Sequence, residues 1–215
     1  MPEEEGGAPP RDEPTGRERE VLRARRESRE RLGDRAFALN LEQALGVRGP
    51  GTAAEIRSAL EENIAAGEVG DEVRTLAGRV VLRRDMGKLK FLVVRDRTGD
   101  LQLVLNEADA DAETWQVLPE VDLGDFIAVT GRVGKTRKGE LSIFVERLAM
   151  LSKALRPLPE KWHGLKDPEL QQRQRYLQLA TDLEYQRVVV ARAQTLRAFR
   201  AVLDGRGFVE VETPV

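Results

Sequence analysis

The sequence contains no cysteine and a single histidine, His163. Disulfide bonds, thiol catalysis and zinc–thiolate sites are therefore excluded, and so is a cluster of histidines around a metal ion. No apolar run approaches the roughly 20 residues of a membrane span. The N-terminus is acidic and rich in proline and glycine, which is unlike a signal peptide. We therefore expect a cytoplasmic protein.

The sequence also has no large excess of charge of either sign. Its 215 residues are 33% charged, yet the formal net charge is only -2. A chain with this balance is not attracted to nucleic acid as a whole, so a nucleic-acid site would have to be a local basic patch. The length and the 40% hydrophobic content fit one or two soluble domains.

The middle of the chain contains five apolar runs, separated by glycine and charged turn signals. These runs predict strands at about 78–86, 89–96, 100–105, 124–134 and 139–150. A short helical insert, ADAETWQVLPEV, lies between the third and fourth runs. Five strands with a helix after the third is the element order of an OB-fold, a small Greek-key barrel of a class that binds oligonucleotides.

Alternation along the predicted strands separates an inner face from an outer face. The inner positions are Leu92, Val94, Leu101, Leu103, Leu105, Leu141, Ile143 and Val145. The outer positions are Phe91, Arg95, Gln102, Val104, Glu140, Ser142 and Phe144. Such an outer face offers an aromatic ring, an amide and a carboxylate, which can stack on an unpaired base and bind its edge. Burial of Phe91 in the core is the alternative.

A basic helix is predicted near the N-terminus. Thr15 and Glu18 have capping-box spacing, and the helix should end near Leu32, before Gly33. Residues 17–31 contain seven Arg and four Glu, a net charge of 7 − 4 = +3. The arginines that fall on one side are Arg19, Arg23 and Arg26. This helix is either solvated and salt-bridged or a basic rod that lies along phosphates.

A basic loop, GKTRKG, joins the fourth and fifth predicted strands at 134–139. Its cations are Lys135, Arg137 and Lys138. Loops at this position of an OB-fold often rim the binding face, so phosphate contact is one interpretation and an ordinary solvated turn is the other. A nucleotide-binding P-loop is rejected, because the spaced glycine is missing and the segment lies in a hairpin.

Helices are also predicted on both sides of the barrel. A second capping box, Thr52 to Glu55, predicts a helix over 52–67. Its apolar stripe is Ala54, Ile56, Leu60 and Ile64. After prolines 157 and 159, which indicate a hinge, helices should follow Pro168 and span 182–205.

The last residues, GFVEVETPV, predict a strand that has just begun. A helix and one strand cannot enclose a core of their own. The apolar residues that need partners are Phe199, Leu203, Phe208 and Val211. We therefore expect a fragment of a larger protein, or a surface that awaits a partner.

Four stretches of the sequence resemble the N-terminal part of bacterial class II lysyl-tRNA synthetases, the lysine–tRNA ligases. They are GRVVLRRDMGKLKF, RTGDLQLVLN, DLGDFIAVTGRVGKTRKGELSIFVERLAMLSKALRPLPEKWHGLKDPELQQRQRYLQL and GFVEVETP, and they cover about 74–215. The run from the hinge onwards distinguishes this family best from other OB-fold proteins, because a generic OB-fold would not contain it. Gln178 departs from the family, which usually has Asp there.

The resemblance implies a domain order. A disordered tail (1–14) and a helical region (15–73) would precede an anticodon-binding OB-fold at 74–151. A hinge (152–168) and the truncated start of an α+β class II catalytic domain (169–215) would follow. The ending resembles motif 1, which contributes to the family's homodimer interface. Its positions are Gly207, Phe208, Glu212 and Pro214.

The resemblance also implies roles in binding the anticodon of lysine tRNA. Phe91 would stack on the central uridine, and Arg84 and Gln102 would hydrogen-bond it, with Glu140 at the start of the fifth strand. Arg84 does not fit simple alternation, and a bulge near 85–87 would reconcile it. The phosphate contacts would come from the basic loop and the basic helix.

The family joins lysine to tRNA through a lysyl-adenylate, using ATP and magnesium. Motifs 2 and 3, which hold ATP and the amino acid, are absent from these 215 residues. The chain alone is therefore expected to bind tRNA without aminoacylating it, with no catalytic, cofactor or metal residue of its own. Two alternatives are a free-standing OB-fold that binds RNA or single-stranded DNA, and the anticodon domain of an aspartyl or asparaginyl enzyme.

Overall fold

The computed structural model describes residues 16–37, 41–47, 49–158 and 168–212. The predictions for the tail 1–14, for Thr15, for hinge residues 159–167 and for Pro214 lie outside these ranges. The chain divides into two compact units, with the boundary between Pro157 and Leu158. None of the described helices is long and apolar enough to cross a membrane.

The first unit contains a closed five-stranded barrel. Its strands are β1 (Val69–Met86), β2 (Leu89–Arg95), β3 (Asp100–Asn106), β4 (Phe126–Lys135) and β5 (Leu141–Ser152). They are hydrogen-bonded in the order β1-β2-β3-β5-β4 and close on themselves. All neighbours are antiparallel except β3 and β5, which are parallel. The predicted OB-fold is thereby confirmed.

Strand β1 begins at Val69, nine residues before the predicted start. Its first half pairs with β4 and its second half pairs with β2, so this strand closes the barrel. The sequence did not reveal the first half because Gly70, Asp71 and Glu72 have the composition of a turn. Val69 pairs with Gly134 and Val73 pairs with Arg132 of β4, with a register shift between them, and the side chains of Asp71 and Glu72 are exposed.

One face of each strand fills the barrel. Leu92 on β2, Leu103 on β3 and Ile143 on β5 have no exposed surface. Each buried side chain of this size contributes about 1.5–3 kcal/mol relative to exposure. The same core includes Val117 of helix α4 (Ala112–Val117), which lies between β3 and β4 as predicted.

Helix α3 (Ala53–Leu60) begins at the predicted capping box but is shorter than predicted. Thr52 accepts a hydrogen bond from the Glu55 backbone N–H, and the Glu55 side chain accepts one from the Thr52 backbone. Ile56 and Leu60 join the barrel core, but Ala54 is exposed and Ala53 is buried in its place. Helix α2 (Leu41–Leu45) was not predicted.

Helix α1 (Gly16–Leu32) is fixed to the barrel by a buried arginine rather than by an apolar stripe. Arg25 is 7% exposed and donates to the backbone oxygens of Leu123, Ala154 and Arg156 at 2.9–3.0 Å. A single-turn 3₁₀ helix, Gly33–Ala36, follows directly. The sequence prediction treated every arginine of this helix as a surface group and so missed Arg25.

A buried ion cluster adjoins Arg25. The ammonium of Lys153 lies 2.9 Å from an Asp125 carboxylate oxygen, and neither side chain is exposed. Asp122 lies 2.6 Å from the same ammonium. Burial raises the pKa of Asp125, although hydrogen bonds from the Asp122 N–H and from Lys153 act in the opposite direction. Removing Lys153 would leave the buried Asp125 carboxylate without its counter-charge.

The second unit is described by the helices α5 (Pro168–Arg173), α6 (Arg175–Thr181) and α7 (Leu183–Asp204). The predicted terminal strand is wrong over its described part, because 208–212 is irregular. A strand requires a neighbour for its backbone hydrogen bonds, and the described part of this unit contains no other strand. The apolar side chains of α7 are exposed, as Phe199 (65%) illustrates.

Candidate nucleic-acid interface

Arg84 and Phe91 lie side by side on the outside of the barrel, in a row of residues that pair across neighbouring strands. Phe91 lies on β2 directly opposite Arg84 of β1 on one side and Val104 of β3 on the other. Directly opposed residues in antiparallel strands have Cα atoms about 5 Å apart and point to the same face. Phe91 is partly buried but is not a member of the core, whereas its neighbour Leu92 is.

Arg84 reaches this face because β1 is irregular further back than predicted. The register shift falls between Val80 and Leu82, not near 85–87. Val80 and Val81 are both buried, so the alternation moves by one residue and Arg84 becomes an exposed outer residue. The prediction for Arg84 therefore pointed to the outer face, but it placed the bulge wrongly.

Gln102 lies in the next row and is held by a short hydrogen-bond chain. It pairs with Val93 on β2 and with Ser142 on β5. Its side-chain amide donates to the Ser142 hydroxyl at 3.0 Å, and that hydroxyl donates to the backbone oxygen of Glu140 at 3.1 Å. This bond uses one of the four hydrogen-bonding positions of a glutamine amide, so the group is oriented and can still bind a base.

Glu140 lies in the turn before β5 rather than within the strand. Its backbone N–H donates to the Thr136 hydroxyl at 3.2 Å, and its backbone oxygen accepts from the Thr136 N–H at 3.0 Å. Its side chain is exposed. Glu140 is therefore connected to Gln102 through the backbone and Ser142, and both belong to one local arrangement.

The basic loop forms a tight turn at the tip of the β4–β5 hairpin. Lys135 is the last residue of β4 and is partly buried, whereas Arg137 and Lys138 are exposed. Gly139 has φ +83°, a conformation that other residues rarely adopt. These cations are thus carried by the same hairpin as Glu140.

The predicted basic rod lies elsewhere. Arg25 anchors α1 to backbone just before β4 begins, whereas the basic loop follows the end of that strand. Ten strand residues span up to about 33 Å, so the two groups do not form one compact patch. Arg19, Arg23 and Arg26 are exposed, and Arg23 forms an ion pair with Glu27 at 2.9 Å.

The charge beside the Arg84–Phe91 pair is mostly positive. Asp85 is the acidic neighbour, and the Arg83 guanidinium that hydrogen-bonds it keeps the pKa of that carboxyl below its ordinary value. Lys90 lies 3.6 Å from the same carboxylate. Asp85 is therefore charged and compensated at neutral pH, so its repulsion of a nearby phosphate is reduced.

Comparison with known proteins shows family matches to two separate parts of the chain. Residues 75–151 match the family described as OB-fold nucleic acid binding domain, and residues 167–215 match tRNA synthetases class II (D, K and N). The first match covers the barrel strands after the first half of β1, and the second covers the described helices of the second unit.

The curated relatives that the chain matches are lysine–tRNA ligases. The chain is 46% identical over 144 residues to a lysine–tRNA ligase of Dehalococcoides mccartyi, covering 67% of this chain and 29% of the relative. It is 39% identical over 198 residues to a lysine–tRNA ligase of Thermoanaerobacter pseudethanolicus, covering 91% of this chain and 38% of the relative. The chain is therefore related to the lysine–tRNA ligases, and it spans less than two fifths of these relatives.

Proposed function

We propose that the barrel reads the anticodon of lysine tRNA as part of a lysine–tRNA ligase. The observation that carries the proposal is the outer face on which Phe91, Arg84 and Gln102 occupy three adjacent strands. The names of the relatives support lysine tRNA as the substrate. Phe91 supplies a stacking surface, and the two polar side chains bind the edges of the same base.

Stacking and edge recognition have different consequences. A splayed base stacked on an aromatic ring gains about 1–3 kcal/mol whatever its identity. Hydrogen bonds to the edge of the base distinguish uracil from cytosine, because the wrong base leaves buried polar groups unpaired. Phe91 therefore supplies affinity, and Arg84 with Gln102 supplies specificity.

The cations of the basic loop support a second part of the proposal. Lys135, Arg137 and Lys138 contact phosphates, which positions the RNA without reading its sequence. Each such contact adds to the salt dependence of binding. Arg19, Arg23 and Arg26 would contact a different part of the RNA, because α1 is anchored near the other end of β4.

For the whole protein, we propose that it attaches lysine to tRNA with ATP and magnesium, as a homodimer in the cytoplasm. The segment containing Gly207, Phe208 and Glu212 contributes to the dimer interface. The 215 residues by themselves bind tRNA without aminoacylating it. Lysine-dependent pyrophosphate exchange by this purified chain would contradict that last statement.

The test is a binding titration with anticodon stem-loops at fixed salt. One loop carries UUU and the other UCU, and the proteins are the unsubstituted chain, Phe91→Ala and Gln102→Leu. We expect the unsubstituted chain to prefer UUU. Phe91→Ala should weaken binding of UUU by at least about fivefold, whereas Gln102→Leu should retain stacking and lose the preference.

Phe126→Ala is the matched control. It removes an outer-face ring at the start of β4, where the Arg79 guanidinium lies 4.4 Å from the ring centroid. Equal binding of both loops by the unsubstituted chain would contradict anticodon reading. It would instead favour a barrel that binds RNA by charge and stacking alone.

A further inference from the structure

A second aromatic ring occupies the same outer row as Phe91. Phe144 of β5 lies opposite Val104, which itself lies opposite Phe91. Two strand spacings separate Phe91 from Phe144, a distance of about 10 Å. Phe144 is partly exposed and is not a member of the barrel core, although both of its neighbours in sequence, Ile143 and Val145, are.

The ring of Phe144 approaches β4 at Gly134. A Cβ atom on Gly134 would lie 2.8 Å from the Cε2 atom of Phe144, which is too close for any real contact. The same Cβ would lie 2.7 Å from the Glu68 backbone oxygen and 2.8 Å from the Val69 Cα, so the close approach of β1 requires this glycine as well. Phe144 is only partly buried, so part of its ring remains accessible for stacking against a base.

The surroundings of Phe144 favour single-stranded nucleic acid over an apolar ligand. Arg132 lies opposite Phe144 on β4 and forms an ion pair with Glu146 at 3.2 Å. Lys135 lies one residue beyond Gly134. Phe91 is close to the β1–β2 turn and Phe144 is close to the basic loop, and these are the two loops that flank the binding face of an OB-fold.

We propose that Phe144 is a second stacking platform, which holds an unpaired base adjacent to the one on Phe91. This inference rests on the proposed function, because it needs a single strand already bound across the barrel. Stacking tolerates any base, so Phe144 contributes affinity at a flanking position without selecting its identity. The hydrogen-bonding side chains, Arg84 and Gln102, remain at the central position.

The test is a double-mutant cycle between protein rings and RNA bases. The 215-residue chain and its Phe144→Leu, Phe91→Leu and Phe126→Leu variants are titrated with the UUU stem-loop. They are also titrated with three loops in which one anticodon position at a time is abasic. Thermal unfolding of each variant establishes that it is folded.

We expect Phe144→Leu to weaken binding of the intact loop about tenfold. That loss should disappear when one of the two flanking bases is absent, and it should persist when the central base is absent. The loss of affinity in Phe91→Leu should disappear when the central base is absent, and it should persist when a flanking base is absent. Phe144→Tyr should retain the affinity, and Phe126→Leu should change it less than twofold, within about 0.4 kcal/mol.

A fluorescent base analogue provides a readout that needs no folded variant. 2-Aminopurine at the coupled flanking position should be quenched when the unsubstituted chain binds, because stacking on a ring quenches it. Unchanged affinity in Phe144→Leu, or a loss that is the same for all abasic loops, would overturn the inference. If Phe91→Leu also shows no coupling to the central base, the proposed function fails with it.

Discussion

The barrel and helix α7 are both rich in apolar residues, yet only the barrel buries them within its own unit. Leu92 and Leu103 have no exposed surface, whereas Phe199 is 65% exposed and Val202 is 54% exposed. A closed sheet pairs every strand on both sides and fills its interior with one face of each. A helix with an apolar stripe has no such self-sufficiency and needs another element to cover it. Topology, rather than composition, separates the two units.

The comparison also separates two kinds of polar interaction. Lys153 and Asp125 are fully buried beside the barrel, whereas Arg187 and Glu184 on α7 are 75% and 78% exposed. Charges removed from water depend strongly on each other, and exposed charges depend mainly on solvent. Equivalent substitutions in the two units should therefore have very different effects.

The largest expected effect comes from the buried ion cluster. Lys153→Met should lower the free energy of unfolding of the barrel by about 3–5 kcal/mol, because Asp125 is left buried without its counter-charge. The matched substitution on α7, Arg187→Met, should change stability by less than about 1 kcal/mol. Urea unfolding, followed by tryptophan fluorescence and by circular dichroism, measures both. Similar losses in the two variants would contradict the contrast.

Shortening an apolar side chain should also destabilise the barrel more than α7, with a somewhat smaller loss of stability than for the buried charge. Leu103→Ala should destabilise the barrel by about 2–5 kcal/mol, since it removes a fully buried side chain and leaves a cavity. Leu203→Ala on α7, where the side chain is 45% exposed, should cost no more than about 0.5 kcal/mol. Denaturant titration of both variants is the measurement. A large loss for Leu203→Ala would mean that α7 is covered in solution.

Helix caps should behave alike in both units. Thr52 caps α3 by accepting from the Glu55 N–H at 3.2 Å, and Asp182 caps α7 by accepting from the Tyr185 N–H at 3.0 Å. Because a cap is a local interaction, Thr52→Ala and Asp182→Ala should each cost about 1 kcal/mol. Helix content against urea concentration tests this. A loss of stability in only one of the two variants would show that the cap in that unit depends on tertiary contacts.

The smallest expected effect is a pH dependence of the barrel. Burial alone would raise the pKa of Asp96, but hydrogen bonds from the N–H groups of Ala53, Thr98 and Gly99 and from the Thr98 hydroxyl keep it below its ordinary value of 3.8. Because the folded pKa is depressed, the contribution is present above the unfolded pKa and is lost as pH falls through the folded pKa. Asp96→Asn should therefore flatten the stability loss below about pH 4. If Asp96→Asn loses stability at low pH as steeply as the unsubstituted chain does, Asp96 is not the source of that loss.

Much of the candidate site could be predicted, because strands alternate with a fixed period. Leu92 and Val94 face inwards, so Phe91 faces outwards, and the same reasoning separates Leu103 from Gln102. Arg84 required knowledge of the register shift at Val80–Leu82, which depends on how β1 is shared between β2 and β4. The orientation of Gln102 by Ser142 could not be predicted either, because β3 and β5 are brought together only when the barrel closes.

Local sequence therefore determined the features that depend on near neighbours. These are the element order of the OB-fold, the capping box at Thr52 and the alternation that exposes Phe91. Tertiary structure decided the features that depend on distant pairing. Arg25 and Lys153 are charged residues that sequence patterns assign to the surface, and they are buried because carbonyl and carboxylate oxygens from other segments converge on them. The terminal segment 208–212 has strand composition, but without a neighbouring strand in the described part of its unit it remains irregular.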